Sequence, residues 1–153
     1  PTQFVPDANA TLRITFGRVR GYSPADAIQK TPISTLQGVI DKTTGLEPFI
    51  TPKAVIDRFN AKDFGGFVHP KLGQVPVAIL YNTDTTGGNS GSPVFNAMGE
   101  LVAVNFDRTF EATINDFAWN ESYSRSIGVD IRYVLWITGI VYNAKHLLKE
   151  MGL

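Results

Sequence analysis

The residues Gly87-Gly88-Asn89-Ser90-Gly91-Ser92-Pro93, which follow the polar lead-in Thr83-Asp84-Thr85-Thr86, carry the strongest chemical signal in the chain. Glycines on both sides of one serine expose its hydroxyl beside backbone N–H groups. Acyl transfer needs an attacking oxygen and preorganised donors about 3 Å from the developing oxyanion, each worth roughly 3–4 kcal/mol. In Gly88-Asn89-Ser90 the amides of Gly88 and Ser90 can face one concavity. Ser90 is therefore the candidate nucleophile, with the Gly88 and Ser90 N–H groups as the candidate oxyanion hole. A glycine-rich hairpin loop without chemistry is the competing account, and Ser92-Pro93 ahead of an apolar strand narrows it.

A serine hydroxyl needs a base, usually a histidine held by a carboxylate. The chain has two histidines. His146 lies beside Lys145 on a helical stretch and reads as a surface residue. His69, in Phe67-Val68-His69-Pro70 just before a strand, is either structural or the base of a self-contained peptidase. Downstream, Asp107-Arg108 ends the strand that starts at Leu101. A guanidinium there is either a solvated strand end with a local ion pair or a planar fork for a carboxylate.

The elements that must position these groups are legible in the periodicity. Leu12, Ile14 and Phe16 alternate with Arg13 and Thr15, the pattern of a first strand, and Gly17 shifts its phase as a bulge would. Tyr22 to Pro48 reads as long loops around one short strand at Thr35–Ile40. A short helix near 52–60 begins at Thr51-Pro52, with Thr51 as cap and Val55, Ile56 and Phe59 on its apolar face. Val75 to Tyr81 is a strand with Pro76 near its start. Pro93-Val94-Phe95 and Leu101–Phe106 flank the turn Asn96–Gly99 and predict a hairpin. This continuation as strand does not fit the strand-to-helix elbow of the α/β-hydrolases. Arg125–Val129 forms a last strand, and Asp130 caps a long C-terminal helix over 131–151. The expected fold is a mainly β, antiparallel barrel over 1–130 with that helix appended, in one domain of 153 residues.

Zero formal net charge and 18% charged residues leave no basic field for nucleic acid. No apolar run approaches the roughly 20 residues of a membrane span. Zero cysteines exclude disulfides and a thiolate zinc site, and two histidines without a carboxylate cluster make no case for a metal. No cofactor is expected. The start at Pro1 gives the expectation of a processed or excised chain.

Several stretches together resemble the dipeptidyl-peptidase 7 and 11 family of bacterial serine peptidases. They are His69-Pro70-Lys71-Leu72-Gly73-Gln74-Val75-Pro76-Val77, Asn82-Thr83-Asp84, Gly87 to Phe95, Gly99-Glu100-Leu101, Phe106-Asp107 and Val129 to Trp136. Leu12 to Gly17 and Gly21-Tyr22-Ser23-Pro24 fit more loosely. The resemblance implies one chymotrypsin-like barrel of a two-barrel enzyme, with the catalytic His and Asp supplied from a region far N-terminal to this segment. On that basis His69 is structural, and the isolated chain hydrolyses little or nothing. Arg108, eighteen residues after the serine, stands where the family carries arginine in members that take Asp or Glu at P1 and glycine in those that take hydrophobic residues. Asp107 is implied as a partner for the substrate's free amino terminus. Phe106, Phe110 and Trp119 are either pocket walls or, as aromatic residues at such spacing more often are, core residues. Asn89 departs from the Asp of trypsin-like enzymes, so activation by a new N-terminus is not expected, and Asn89 should instead hydrogen-bond locally.

The implied partners are peptides with a free N-terminus and the remainder of the parent chain, a first barrel and a helical domain, with a homodimer of the parent left open. The implied location is the periplasm or surface of a Gram-negative bacterium. A noncatalytic peptide-binding or assembly domain, and a self-contained peptidase using His69, stay as alternatives.

Overall fold

The computed structural model describes residues 12–153. The chain is mainly β, with two antiparallel sheets. A hairpin pairs β1 (Tyr22–Ala25) with β2 (Ile28–Lys30). The second sheet holds β3 (Ile33–Thr35), β4 (Pro76–Tyr81), β5 (Pro93–Phe95), β6 (Leu101–Arg108) and β7 (Ser126–Asp130) in the order β3-β4-β7-β6-β5. It is open, with β3 and β5 at its edges, so the expected barrel is not closed among the described residues. The described residues also form four α-helices: α1 (Leu36–Asp41), α2 (Lys53–Asn60), α3 (Ile131–Trp136) and α4 (Lys145–Glu150).

Two compact units divide these residues. One joins Ala78–Val129 to the described residues up to Ile33; the other joins Ser34–Val77 to Asp130–Leu153.

In the first unit, Ile79, Tyr81 and Ala103 form a buried cluster with Ile33 and Val94 against it. β4 lies against β7 with Ile79 opposite Gly128. Glycine keeps that point uncrowded: a Cβ on Gly128 would sit 3.0 Å from the Tyr81 ring and hydroxyl and from Ala103 Cβ, so these neighbours would have to give way. The hairpin of β5 and β6 follows the serine loop as expected, its turn closed by Gly99 at φ +80°. A buried Arg125 ties this unit together, donating to the carbonyls of Arg20, Gly21, Glu121 and Ser124 and lying over the Tyr22 ring. The strand expected at Leu12–Phe16 does not form. Residues 12–18 have no regular secondary structure and are exposed, and the only ladder contact here is Val19 opposite Tyr81.

In the second unit, Leu36, Val55, Val75, Trp136 and Val141 make the core. The strand expected at Thr35–Ile40 is instead α1. Leu36, Val39 and Ile40 fall on one helical face, and Leu36 is fully buried with its N–H on Val75 O. α2 matches its expected span, but Pro52 rather than Thr51 takes the capping position, and the Thr51 hydroxyl pairs with Thr43 instead. Asp130 caps as expected, accepting the Arg132 N–H. The long helix over 131–151 is broken. After α3 the chain widens into a π-turn at Ile137–Val141, where Tyr142 N–H reaches Ile137 O, and it reverses at Asn143 with φ +53° before α4. The fold-back packs Leu148 on Gly139, with Leu148 Cδ1 2.5 Å from the place of its absent Cβ.

Candidate active site

β4 delivers the chain into a pinned lead-in. Thr85 is buried, its hydroxyl 2.6 Å from Ser126 Oγ, and Ser126 Oγ also donates to Thr83 O at 3.0 Å. Two tight turns follow. In the first, Asn89 N–H reaches Thr86 O at 3.3 Å, and Gly88 holds the third position at φ +86°. In the second, Ser92 N–H reaches Asn89 O at 3.1 Å, and Gly91 holds the third position at φ +86°. A left-handed residue there favours glycine strongly, which is why the serine is bracketed by glycines. The Asn89 side chain closes the first turn by accepting Thr86 N–H at 2.9 Å, the local bonding its type predicts.

Ser90 is left exposed between the turns, with its hydroxyl donating to Phe106 O at 3.1 Å. Among the described residues nothing accepts from the Gly88 or Ser90 N–H. Ser90 opens on a cavity of about 150 Å³ lined by Thr85, Thr86, Gly87, Asn105, Phe106, Asp107 and Arg108. The candidate nucleophile and both candidate recognition residues thus border one cavity, although adjacent strand residues usually point apart. Asp107 is exposed and its Oδ1 accepts the Arg108 N–H at 2.7 Å.

Arg108 has a partner that the sequence did not reveal. Its fork grips Asp116, at the end of the 3₁₀ segment Phe110–Asp116, with Nη1 to Oδ1 at 2.7 Å and Nη2 to Oδ2 at 2.9 Å. The guanidinium holds the Asp116 carboxyl below its ordinary range. Asp116 therefore takes two of the fork's five N–H groups. An acid eight positions on, in an irregular segment, has no spacing rule that would mark it in the sequence.

Of the candidate walls, Phe106 lines this cavity. Phe110 does not, and Trp119 lines a separate cavity of about 350 Å³ with Thr15, Phe16, Asn82, Asp84 and Glu121. Neither histidine belongs to the unit that carries Ser90. His69 Nδ1 accepts Lys71 N–H at 3.2 Å and its backbone bridges Gln74, a turn-closing arrangement. His146 is exposed on α4. Among the described residues no cluster of His, Cys, Asp or Glu could hold a metal ion, and no helix is long and apolar enough to cross a membrane.

A profile of the family described as Peptidase S46 matches residues 1–153. An Asp/Glu-specific dipeptidyl-peptidase of Flavobacterium psychrophilum is 46% identical over 153 residues, covering 99% of this chain and 21% of its own length. One of Porphyromonas gingivalis is 47% identical over 152 residues, covering 97% and 21%. A dipeptidyl-peptidase 7 of Phocaeicola vulgatus is 41% identical over 152 residues, covering 99% and 21%. The crystal structure of Porphyromonas endodontalis DPP11 in complex with the dipeptide Arg-Glu superposes with a TM-score of 0.91 at 38% identity, over 95% of this chain and 21% of that one. The chain spans about a fifth of the length of these relatives.

Proposed function

This chain belongs to the peptidase S46 family, and from that we propose that it is the nucleophile-bearing segment of a serine dipeptidyl-peptidase releasing N-terminal dipeptides with Asp or Glu at P1. Ser90 Oγ attacks the carbonyl carbon of the second residue. Its proton passes to a histidine held by a carboxylate, both supplied by the protein outside this segment, from a first barrel that the β-sheet described here complements. The oxyanion accepts from the Gly88 and Ser90 N–H groups. Collapse expels the amine, which takes the proton from the histidine, and water then hydrolyses the acyl-enzyme and frees the dipeptide.

The observation that carries this reading is the single cavity shared by Ser90, Asp107 and Arg108. Cutting after two residues requires that the substrate be measured from its amino terminus, and Asp107 is an exposed carboxylate available for the ammonium. Arg108 supplies the cation for an acidic P1 side chain, in keeping with relatives of 46% and 47% identity named Asp/Glu-specific dipeptidyl-peptidases. The need for a first barrel is supported by Leu12, Ile14 and Phe16, a strand-like alternation whose apolar side chains are 90%, 81% and 90% exposed. No cofactor is required. A periplasmic or cell-surface location belongs to the same proposal.

The test is Ser90→Ala in the full-length protein, assayed on dipeptidyl substrates with Glu at P1. Loss of hydrolysis by 10³-fold or more is expected. Unchanged hydrolysis means the serine loop is a relic and the domain noncatalytic.

A further inference from the structure

The side chains of Tyr81 and Asn105 are both buried, and they meet beneath the serine loop. Tyr81 donates its hydroxyl to Asn105 Oδ1 at 2.6 Å, and Asn105 Nδ2 donates to Asn89 O at 3.1 Å. The two ends of a carboxamide differ, so a donor on Oδ1 leaves Nδ2 directed at the carbonyl. The same residue grips the loop through its backbone, with its N–H on Ser92 O and its carbonyl accepting Gly91 N–H, each at 2.8 Å.

Asn89 O belongs to the same rigid peptide unit as the N–H of Ser90. In a trans peptide these two groups point in opposite directions. Holding Asn89 O inward, on Asn105 Nδ2 and on Ser92 N–H, therefore turns the Ser90 N–H away from the buried pair. We propose that Tyr81 and Asn105 are positioning residues for the oxyanion hole, locking the Asn89–Ser90 peptide plane so that the Ser90 N–H stays aimed at the developing oxyanion. This rests on Ser90 being the nucleophile. Gly128 belongs to the device, because a Cβ there would lie 3.0 Å from the Tyr81 hydroxyl and its ring, so the phenol would have to shift by a few tenths of an ångström. Burial raises the phenol's pKa above its ordinary value, which keeps it a donor at any working pH.

A rotating peptide plane costs the transition state a donor while leaving ground-state binding intact, so the effect falls on kcat. In the full-length protein Tyr81→Phe should lower kcat about 5- to 10-fold and Asn105→Leu about 100-fold, against the 10²–10³ of a donor removed outright, with KM within about twofold. Affinity for a dipeptidyl boronic acid, whose tetrahedral adduct fills the hole, should fall by the same factors. Affinity for the product dipeptide should not change. Gly128→Ala, which touches neither residue of the pair by sequence, should reproduce the Tyr81→Phe pattern.

If Asn105→Leu does not fold, Tyr81→Phe and its boronate affinity decide alone. Folded variants that keep kcat and boronate affinity within about twofold overturn the positioning role, as do variants that lose product affinity in step with kcat. Ser90→Ala separates the two levels. If it retains activity, the nucleophile reading itself fails; if it abolishes activity while Tyr81→Phe and Asn105→Leu are silent, only the positioning role fails.

Discussion

Replacing Arg108 by glycine in the full-length protein removes the guanidinium from the cavity that Ser90 faces. A charge-assisted contact to a P1 carboxylate contributes about 1.5–3 kcal/mol, or about 10- to 150-fold in kcat/KM. The substitution also orphans Asp116, whose carboxylate then repels an acidic P1. With the Asp116 side chain 41% exposed, solvent screening limits that repulsion to about 1 kcal/mol. Together they predict a loss of about 50- to 10³-fold for Glu at P1 and little change for Gln or Leu. Asp116→Asn alone breaks a partly exposed pair, with Arg108 22% and Asp116 41% exposed, so its effect should stay within about fivefold. The double variant should regain about three- to fivefold over Arg108→Gly, because the repulsion is gone. The assay is kcat/KM on fluorogenic dipeptidyl amides differing only at P1. A Glu-to-Gln preference unchanged within twofold in Arg108→Gly refutes the selector role, and a loss in Asp116→Asn as deep as in Arg108→Gly refutes the division of labour.

The ion pair also has a pH signature. Asp116 is depressed by Arg108, so its contribution to stability is complete above the unfolded value of 3.8 and is lost as pH falls through the lower folded value. A carboxyl NMR titration should place Asp116 below 3.8 in the native protein and return it toward that value in Arg108→Gly. Tyr22 is pushed up to about 12 by burial and by its 2.5 Å hydrogen bond to Glu111, and ultraviolet titration of Glu111→Gln should find it lower. Gly21→Ala should destabilise by at least about 3 kcal/mol, because its Cβ would meet Lys30 O at 2.1 Å, a backbone atom that cannot turn aside. Gly139→Ala should stay within about 1 kcal/mol, since its clash is with the rotatable end of Leu148. Thermal denaturation of the two variants separates these cases.

What the sequence made legible was local. The serine loop could be read because positive-φ positions favour glycine whatever surrounds them, and Asp130 because a capping side chain bonds within its own turn. Hairpin β5–β6 declared itself through Asn96–Gly99. The segment at Leu36–Ile40 was ambiguous, since Leu36 and Ile40 satisfy both the twofold and the helical period, and burial of Leu36 decided for the helix. The apolar series from Ile131 to Met151 kept helical spacing, but spacing does not reveal where a helix folds back. The break at Asn143 is accompanied by the packing of Leu148 on Gly139, a contact that spacing does not encode. Leu12, Ile14 and Phe16 display the alternation of a strand, yet alternation identifies faces and not the neighbour that completes a ladder. Asp116 escaped for the same reason, since its link to Arg108 follows from the path of the 3₁₀ segment rather than from spacing. In Tyr81 and Asn105 the sequence offered only a strand aromatic and a strand amide, and their joint hold on Asn89 appears only once the sheet is assembled.

The most direct test of the account is mass-spectrometric mapping of the residue labelled by a fluorophosphonate, in the full-length protein and in this chain alone. Adduct on Ser90 is expected in the full-length protein and none in the isolated chain, because the base that activates the hydroxyl is proposed to come from outside this segment. Labelling elsewhere would contradict Ser90 as nucleophile, and rapid labelling of the isolated chain that disappears in His69→Ala would make the chain a complete peptidase by itself.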